Sequence, residues 1–259
     1  MKKRMPVIFI GHGSPMNAIS NNNFTAFLKQ SVKDIPKPRA ILMISAHWLT
    51  GGTKVLGLED PKIIYDFGGF PDELYQVKYP ARGSLEVTDR VLSLLHGHAV
   101  VSDASWGLDH GTWAVLKFMY PEADVPVLQL SLDTQLSLRQ HFELGEKLKS
   151  LRDEGILIMG SGNIVHNLRL MNFDPAAPPY PWAQEFDLLI KAAILKKDMV
   201  TLFAENPEHR ERWRMAHPSI DHYLPLLYVL GTSDEKDQVS FPYEEIQLGS
   251  MSMRAVRFG

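Results

Sequence analysis

Five histidines stand where an imidazole can do chemistry, and three of them share one local pattern. His12 follows the apolar run Val7-Ile8-Phe9-Ile10 and sits between Gly11 and Gly13, with Ser14-Pro15 next. His47 follows Ala40-Ile41-Leu42-Met43-Ile44 across the small pair Ser45-Ala46. His166 follows Ile156-Leu157-Ile158-Met159 across a longer turn, Gly160-Ser161-Gly162-Asn163-Ile164-Val165. A short apolar run rich in β-branched residues reads as a buried strand, and the small residues after it interrupt the strand. Open α/β sheets place their ligands at the carboxyl ends of such strands. In a parallel sheet the three ends lie on one edge, so the imidazoles can converge. A turn explains one such histidine, but packing explains three poorly. The pattern predicts a metal site.

Two further segments bear on that site. His217-Pro218-Ser219-Ile220-Asp221-His222-Tyr223-Leu224-Pro225 precedes an apolar helix and makes His222 the fourth candidate ligand. Trp106-Gly107-Leu108-Asp109-His110-Gly111-Thr112-Trp113 puts His110 at the amino end of another helix, a good place for an acid-base imidazole. An ordinary N-terminal cap made by Asp109 or Thr112 would give the same sequence. The chain has no cysteine, which excludes disulfides and thiolate ligands. Imidazole, carboxylate and water remain, a set suited to Fe(II), Zn(II), Mn(II) or Ni(II). A catalytic metal keeps a position open for substrate. Three histidines leave that room and a fourth tightens it, so one of the four is either an extra ligand or an acid-base group.

The elements that position these residues read as alternating strands and helices. Helices are expected over 21–34, 84–95, 113–120, 134–154 (with Gly155 as its C-cap), 186–197 and 207–215. Further strands are expected over 53–58, 99–102 and 125–130. The segments 238–240 and 246–258 read as strands added to a sheet edge. Leu85, Val91, Leu92 and Leu95 fall on one side of the helix over 84–95, and His96 and His98 at its end read as structural. His141 and His209 stand among charged residues and read as surface. Asp66-Phe67-Gly68-Gly69-Phe70-Pro71 reads as a loop that lines or covers a pocket, or as a plain turn. The proline-rich stretch 174–182 is a rigid lid or a simple connection. The fold class is α/β: a single domain, a mostly parallel central sheet with helices on both faces, and added C-terminal strands.

Composition fits that picture. At 259 residues, 45% hydrophobic and 22% charged, the chain matches one large globular domain. A net charge of -3 with both signs mixed points away from nucleic acid and membrane surfaces. Met1-Lys2-Lys3-Arg4 begins like a signal peptide, but the apolar run after it is too short. No stretch approaches the roughly 20 apolar residues of a membrane span. The expected location is cytoplasmic.

Gly11-His12-Gly13-Ser14-Pro15, Ser45-Ala46-His47-Trp48, Gly162-Asn163-Ile164-Val165-His166-Asn167 and the segment 217–225 resemble the motifs of the 4,5-DOPA extradiol dioxygenase family. That family lies within the class III extradiol ring-cleavage enzymes, relatives of protocatechuate 4,5-dioxygenase. The resemblance runs from residue 7 to the C-terminal strands, and the motifs in this order are specific where each alone is weak. It implies one catalytic domain over 1–259, with metal ligands at His12, His47 and His222. It makes His166 the acid-base residue, which in zinc-bound members can enter the metal shell, and His110 a substrate contact. It implies a catechol such as L-DOPA and O2 as substrates, Fe(II) as the active metal, and 4,5-seco-DOPA as the product.

Protocatechuate-type relatives use a carboxylate as third ligand, where this chain has His222. An all-histidine shell carries no negative charge and also suits Zn(II). Asp221 and Asp109 can restore a carboxylate behind the ligands by orienting an imidazole. Two other readings use the same residues. One is a zinc-dependent amide or ester hydrolase, although HExxH is missing. The other is a non-enzymatic metal-binding regulatory protein on the same fold.

Overall fold

Alternation along the apolar runs fills both faces of one sheet. Val7 and Phe9 point to one side while Ile8 and Ile10 point to the other. Leu42 and Ile44 divide from Ile41 and Met43 in the same way, as do Ile156 and Ile158 from Leu157 and Met159. A strand buried on both faces is what a parallel sheet covered by helices requires. The computed structural model describes residues 4–174 and 177–259. Met1 to Lys3 of the basic start, and Pro175 and Ala176 of the proline-rich stretch, lie outside the described residues.

Among the described residues the strands are β1 (Val7–Gly11), β2 (Ala40–Thr50), β3 (Lys54–Leu56), β4 (Val101–Asp103), β5 (Val127–Asp133), β6 (Ile156–Gly162), β7 (Val239–Tyr243), β8 (Ile246–Gln247), β9 (Met251–Ser252) and β10 (Ala255–Phe258). Eight of them form a sheet in the order β4-β3-β5-β2-β6-β1-β10-β7. β2, β6 and β1 are adjacent and parallel, so the three histidine-bearing ends do share one edge. The C-terminal strands depart from the expectation in detail. β10 inserts between β1 and β7, antiparallel to both, and β8 pairs only with β9.

The helices are α1 (Asn23–Gln30), α2 (Asp72–Tyr75), α3 (Leu85–Leu94), α4 (His110–Met119), α5 (Leu138–Leu148), α6 (Pro181–Lys196), α7 (Met199–Leu202), α8 (Arg210–Ala216) and α9 (Leu224–Thr232). α3, α5, α6 and α9 cover one face through residues such as Val91, Leu148, Phe186 and Val229. α1, α2 and α4 cover the other through Phe24, Leu28, Leu74 and Trp113. None of the helices is long and apolar enough to cross a membrane.

Several expectations need correction. The long helix over 134–154 starts at Leu138, because Ser137 and Gln140 form a capping box there, and it ends in a 3-10 turn, Lys149–Arg152. The helix expected from 186 begins at Pro181, since proline is well suited to the first helical position. Leu85 is 43% exposed, because it opens its helix while Val87, Val91 and Leu95 form the inward row. His141 is fully buried, contrary to its reading as surface. Helical spacing sets it in line with Leu144 and Leu148, facing α9, where its Nδ1 meets the Tyr228 hydroxyl at 3.0 Å. His209 is half-buried rather than exposed.

Candidate metal centre and active site

Each histidine of the site reaches it by a different local device. His12 leaves the end of β1, and its N–H continues the parallel ladder by donating to the Gly162 carbonyl. Gly13 follows in the left-handed region at φ +66, which turns the chain sharply away from the sheet. His47 lies within β2, where pairing with β5 jumps from Ile44–Leu130 to Leu49–Leu132. Four residues of β2, Ser45 to Trp48, thus oppose one of β5, a bulge that breaks the pairing on that side while Ser45 still pairs with Ser161 of β6. His110 is the first residue of α4. His166 follows β6 in a turn, bridged to Met251, with its N–H on the Ala216 carbonyl. His222 precedes α9, and its carbonyl accepts from Asn163 N–H at 2.8 Å. A Cβ at Gly162 would come 2.1 Å from that same carbonyl oxygen, so only glycine lets the end of β6 approach the His222 backbone.

Single nitrogens of His12, His47 and His222 all lie within 4.8 Å of one another. The hydrogen bonds behind them set the tautomers. Ser161 Oγ donates its one proton to the Gly111 carbonyl at 2.6 Å, so it can only accept from His12 Nδ1 at 2.9 Å. His12 Nε2 therefore carries a free lone pair. His222 donates Nδ1–H to the Asp221 carboxylate, which likewise leaves Nε2 unprotonated. His47 Nδ1 faces Asp66 Oδ2 at 3.4 Å, and its Nε2 faces His12 Nε2 at 3.0 Å. At that distance the two nitrogens either share a proton carried by His47 Nε2 or, with both unprotonated, face a common cation. Adjacent nitrogens around a metal with bonds of about 2.0–2.1 Å stand about 3 Å apart. The donor set fits a metal ion.

Electrostatics agrees. Burial, followed by the neighbouring imidazoles, drives His12 and His222 well below the usual histidine range. Burial and His110 bring His47 down to about 3 against the opposing pull of Asp66. Neutral imidazoles are what a metal needs as ligands.

His166 belongs neither to the group His12, His47 and His222 nor to a second possible one, His47, Asp66 and His110, and it stacks on His222, ring centroids 3.4 Å apart and nearly parallel. Burial lowers it to about 4, with Asp221 opposing. His110 lies 4.0 Å from His47 ring to ring. Its backbone N–H and its Nδ1 both meet the Asp66 carboxylate, at 2.9 and 2.8 Å. Burial acts to raise Asp66, but the His110 hydrogen bonds and the charges of His110 and His47 leave it lowered.

Sequence reasoning missed Asp66 as a partner of His110; the only trace of it was the glycine-aromatic loop at 66–71. The expectation that Asp109 orients an imidazole fails. Its carboxylate accepts from Ser45 Oγ at 2.6 Å and Gln129 Nε2 at 2.7 Å, so it ties the β2 bulge to the start of α4. It makes no side-chain cap either. Burial, followed by the charge of Asp66, raises this carboxyl to about 6. His217 is buried among Phe186, Trp213 and Tyr223 and does not line the site. His96 and His98 are exposed and also lie away from it. The site histidines His12, His47, His110, His166 and His222 form the floor of one cavity of about 360 Å³, walled mainly by apolar residues.

Comparison with known proteins gives the family. Residues 6–258 match the family described as the catalytic LigB subunit of aromatic ring-opening dioxygenase. The chain belongs to this family. It is 45% identical to the 4,5-DOPA dioxygenase extradiol of Escherichia coli, over 99% of this chain and 95% of that one. It is 37% identical to the protein of the same name from Beta vulgaris, over 96% and 95% of the two chains. The crystal structure of an uncharacterized protein from Escherichia coli superposes with a TM-score of 0.86 at 41% identity, covering 99% of this chain and all of the other. The protein is thus an aromatic ring-opening dioxygenase, of a family that depends on a metal, with a histidine cluster able to hold one.

Proposed function

We propose that this enzyme opens the ring of a catechol beside its diol with O2, the extradiol mode named for its relatives, and that residues 1–259 work as one catalytic domain. The observation that carries this is the convergence of three imidazoles, His12, His47 and His222, on the floor of an apolar cavity. We assign the metal to these three. Fe(II) is the metal expected for turnover, and Zn(II) is a plausible occupant of an all-histidine shell. A ferrous ion supplies Lewis acidity toward the catechol oxygens and the redox reach that O2 chemistry needs.

The chain's own groups then have defined work. Neutral His166, stacked on a ligand ring, accepts the proton that a catechol hydroxyl gives up on binding. The same ring is placed to return that proton as the ring opens. His110 keeps Nδ1–H on Asp66, which leaves Nε2 to face the substrate as a positioning or second acid-base group. Phe67 and Phe70 flank the cavity and exclude water from the reacting atoms. The work is expected to take place in the cytoplasm, with a small catechol and O2 as partners.

L-DOPA, the substrate in the relatives' printed name, is the probe of choice, and 4,5-seco-DOPA is its expected product. Metal-stripped protein loaded anaerobically with Fe(II) should take up O2 and turn yellow when L-DOPA or a simpler catechol is added. Ester or amide hydrolysis by zinc-loaded protein, with no O2 uptake from the iron-loaded form on any catechol, would overturn the reading in favour of a hydrolase.

A further inference from the structure

The group His47, Asp66 and His110 adjoins the three assigned ligands and shares His47 with them. One carboxylate oxygen in it serves two rings. His110 donates Nδ1–H to Asp66 Oδ2 at 2.8 Å, and His47 Nδ1 faces the same oxygen at 3.4 Å. Asp66 Oδ1 accepts the His110 backbone N–H at 2.9 Å, so the carboxylate grips both the ring and the backbone of that residue.

The loop that carries Asp66 is itself fixed to the start of α4. Ile64 N–H donates to the Leu108 carbonyl at 2.7 Å, Leu108 N–H to the Lys62 carbonyl at 2.9 Å, and Trp113 Nε1–H to the Ile64 carbonyl at 2.9 Å. A Cβ at Gly107 would come 2.0 Å from the Lys62 carbonyl oxygen, so the two backbones touch there. These contacts bracket His110 in the chain and aim the carboxylate before anything enters the cavity.

We propose that Asp66 is a positioning residue for ring cleavage that serves two imidazoles at once, presenting His110 Nε2 to the substrate and His47 Nε2 to the metal. This rests on the ring-cleavage reading above and on its metal assignment. An ionised carboxylate only accepts, so a ring nitrogen facing it keeps its proton and the opposite nitrogen keeps its lone pair. One charge thereby sets the tautomer of both rings, as Asp221 does for His222. Asparagine has the same shape and the opposite effect. With its oxygen on the His110 N–H, its NH2 faces both Nδ1 atoms and drives the proton of each ring to Nε2; turned over, it sets NH2 against that N–H.

The test compares wild type, Asp66→Asn, His110→Ala and the double variant for Zn(II) affinity by chelator competition, and for kcat and KM with L-DOPA at saturating Fe(II). Asp66→Asn should weaken metal binding about 10–100-fold, the usual effect of losing a group that orients a ligand. It should also lower kcat at least about tenfold. His110→Ala should lower kcat and leave metal affinity as it was. In the double variant the loss of affinity should persist while the further loss of kcat disappears, because that part of the effect runs through His110. Proton–nitrogen NMR spectra of zinc-loaded wild type, which need no variant to fold, should show His110 protonated at Nδ1. Unaltered metal affinity in Asp66→Asn, or a His110 proton on Nε2, overturns the inference; a lowered melting temperature alone would make Asp66 a cap for α4. A second ion bound by wild type and lost in Asp66→Asn also overturns it, since the group would then hold a metal. If no catechol is cleaved, the ring-cleavage reading fails and takes the His110 half with it, whereas the metal affinities still decide the His47 half.

Discussion

The site's chemistry is decided by which ring nitrogen of each histidine keeps its proton, and that is set one hydrogen bond behind the ligands. Ser161 can only accept from His12 because its own proton is already given to Gly111. Ser161→Ala should therefore leave the fold intact and weaken metal binding by about 10–100-fold, the usual effect of losing a group that orients a ligand. Competition with a chromogenic chelator measures it. His12→Ala should abolish metal binding outright, whereas His166→Ala should retain one metal per chain and lose at least about 100-fold in kcat. If His166→Ala released the metal as His12→Ala does, His166 would be a ligand and not an acid-base group. At this scale the sequence was readable only in part. Strand-end histidines announce themselves by what precedes them. Asp66 does not, since its bond to His110 spans 44 residues and joins a loop to the first residue of α4 with no shared period. Asp109 misled for the opposite reason: adjacency to His110 suggested contact, while the helix start turned its carboxylate toward Ser45 and Gln129.

Elements position these rings by backbone approach more than by side-chain packing. The end of β6 touches the His222 turn, with Asn163 N–H on the His222 carbonyl. Gly162→Ala would drive a methyl into that oxygen, and neither side is a flexible side chain that could yield. The variant should fold with a lowered melting temperature and lose most of its metal affinity and activity, while a methyl at the exposed Gly68, where nothing lies within 4 Å, should change neither. Parallel strands β1, β2 and β6 were legible because runs buried on both faces leave no polar positions to confuse the reading. The bulge in β2 was not, since nothing in Ser45-Ala46-His47-Trp48 distinguishes a strand that ends from one that bulges and resumes. Nor was the placement of β10 beside β1, which depends on long-range pairing that local pattern does not encode.

Across the whole molecule, histidines outside the cavity couple the fold to pH. His141, held between α5 and α9 beside the Tyr228 hydroxyl, is lowered by burial to about 4, with Asp133 opposing. In the unfolded chain a histidine titrates near 6.5. Between those values the unfolded state binds a proton that the folded state does not, so stability is full above about pH 6.5 and falls as pH drops toward 4. At about 1.4 kcal/mol per unit, His141 accounts for about 3 kcal/mol of that loss. His217, lowered by burial to about 3, adds to the same slope. Asparagine can keep a bond to Tyr228 and cannot take up a proton. In metal-free protein, His141→Asn should therefore lose less stability than wild type between pH 7 and 5, whatever its starting value, as read from urea midpoints. Parallel curves for the two proteins would show that His141 does not titrate on unfolding, and would leave the acid sensitivity to His217 and the cavity histidines.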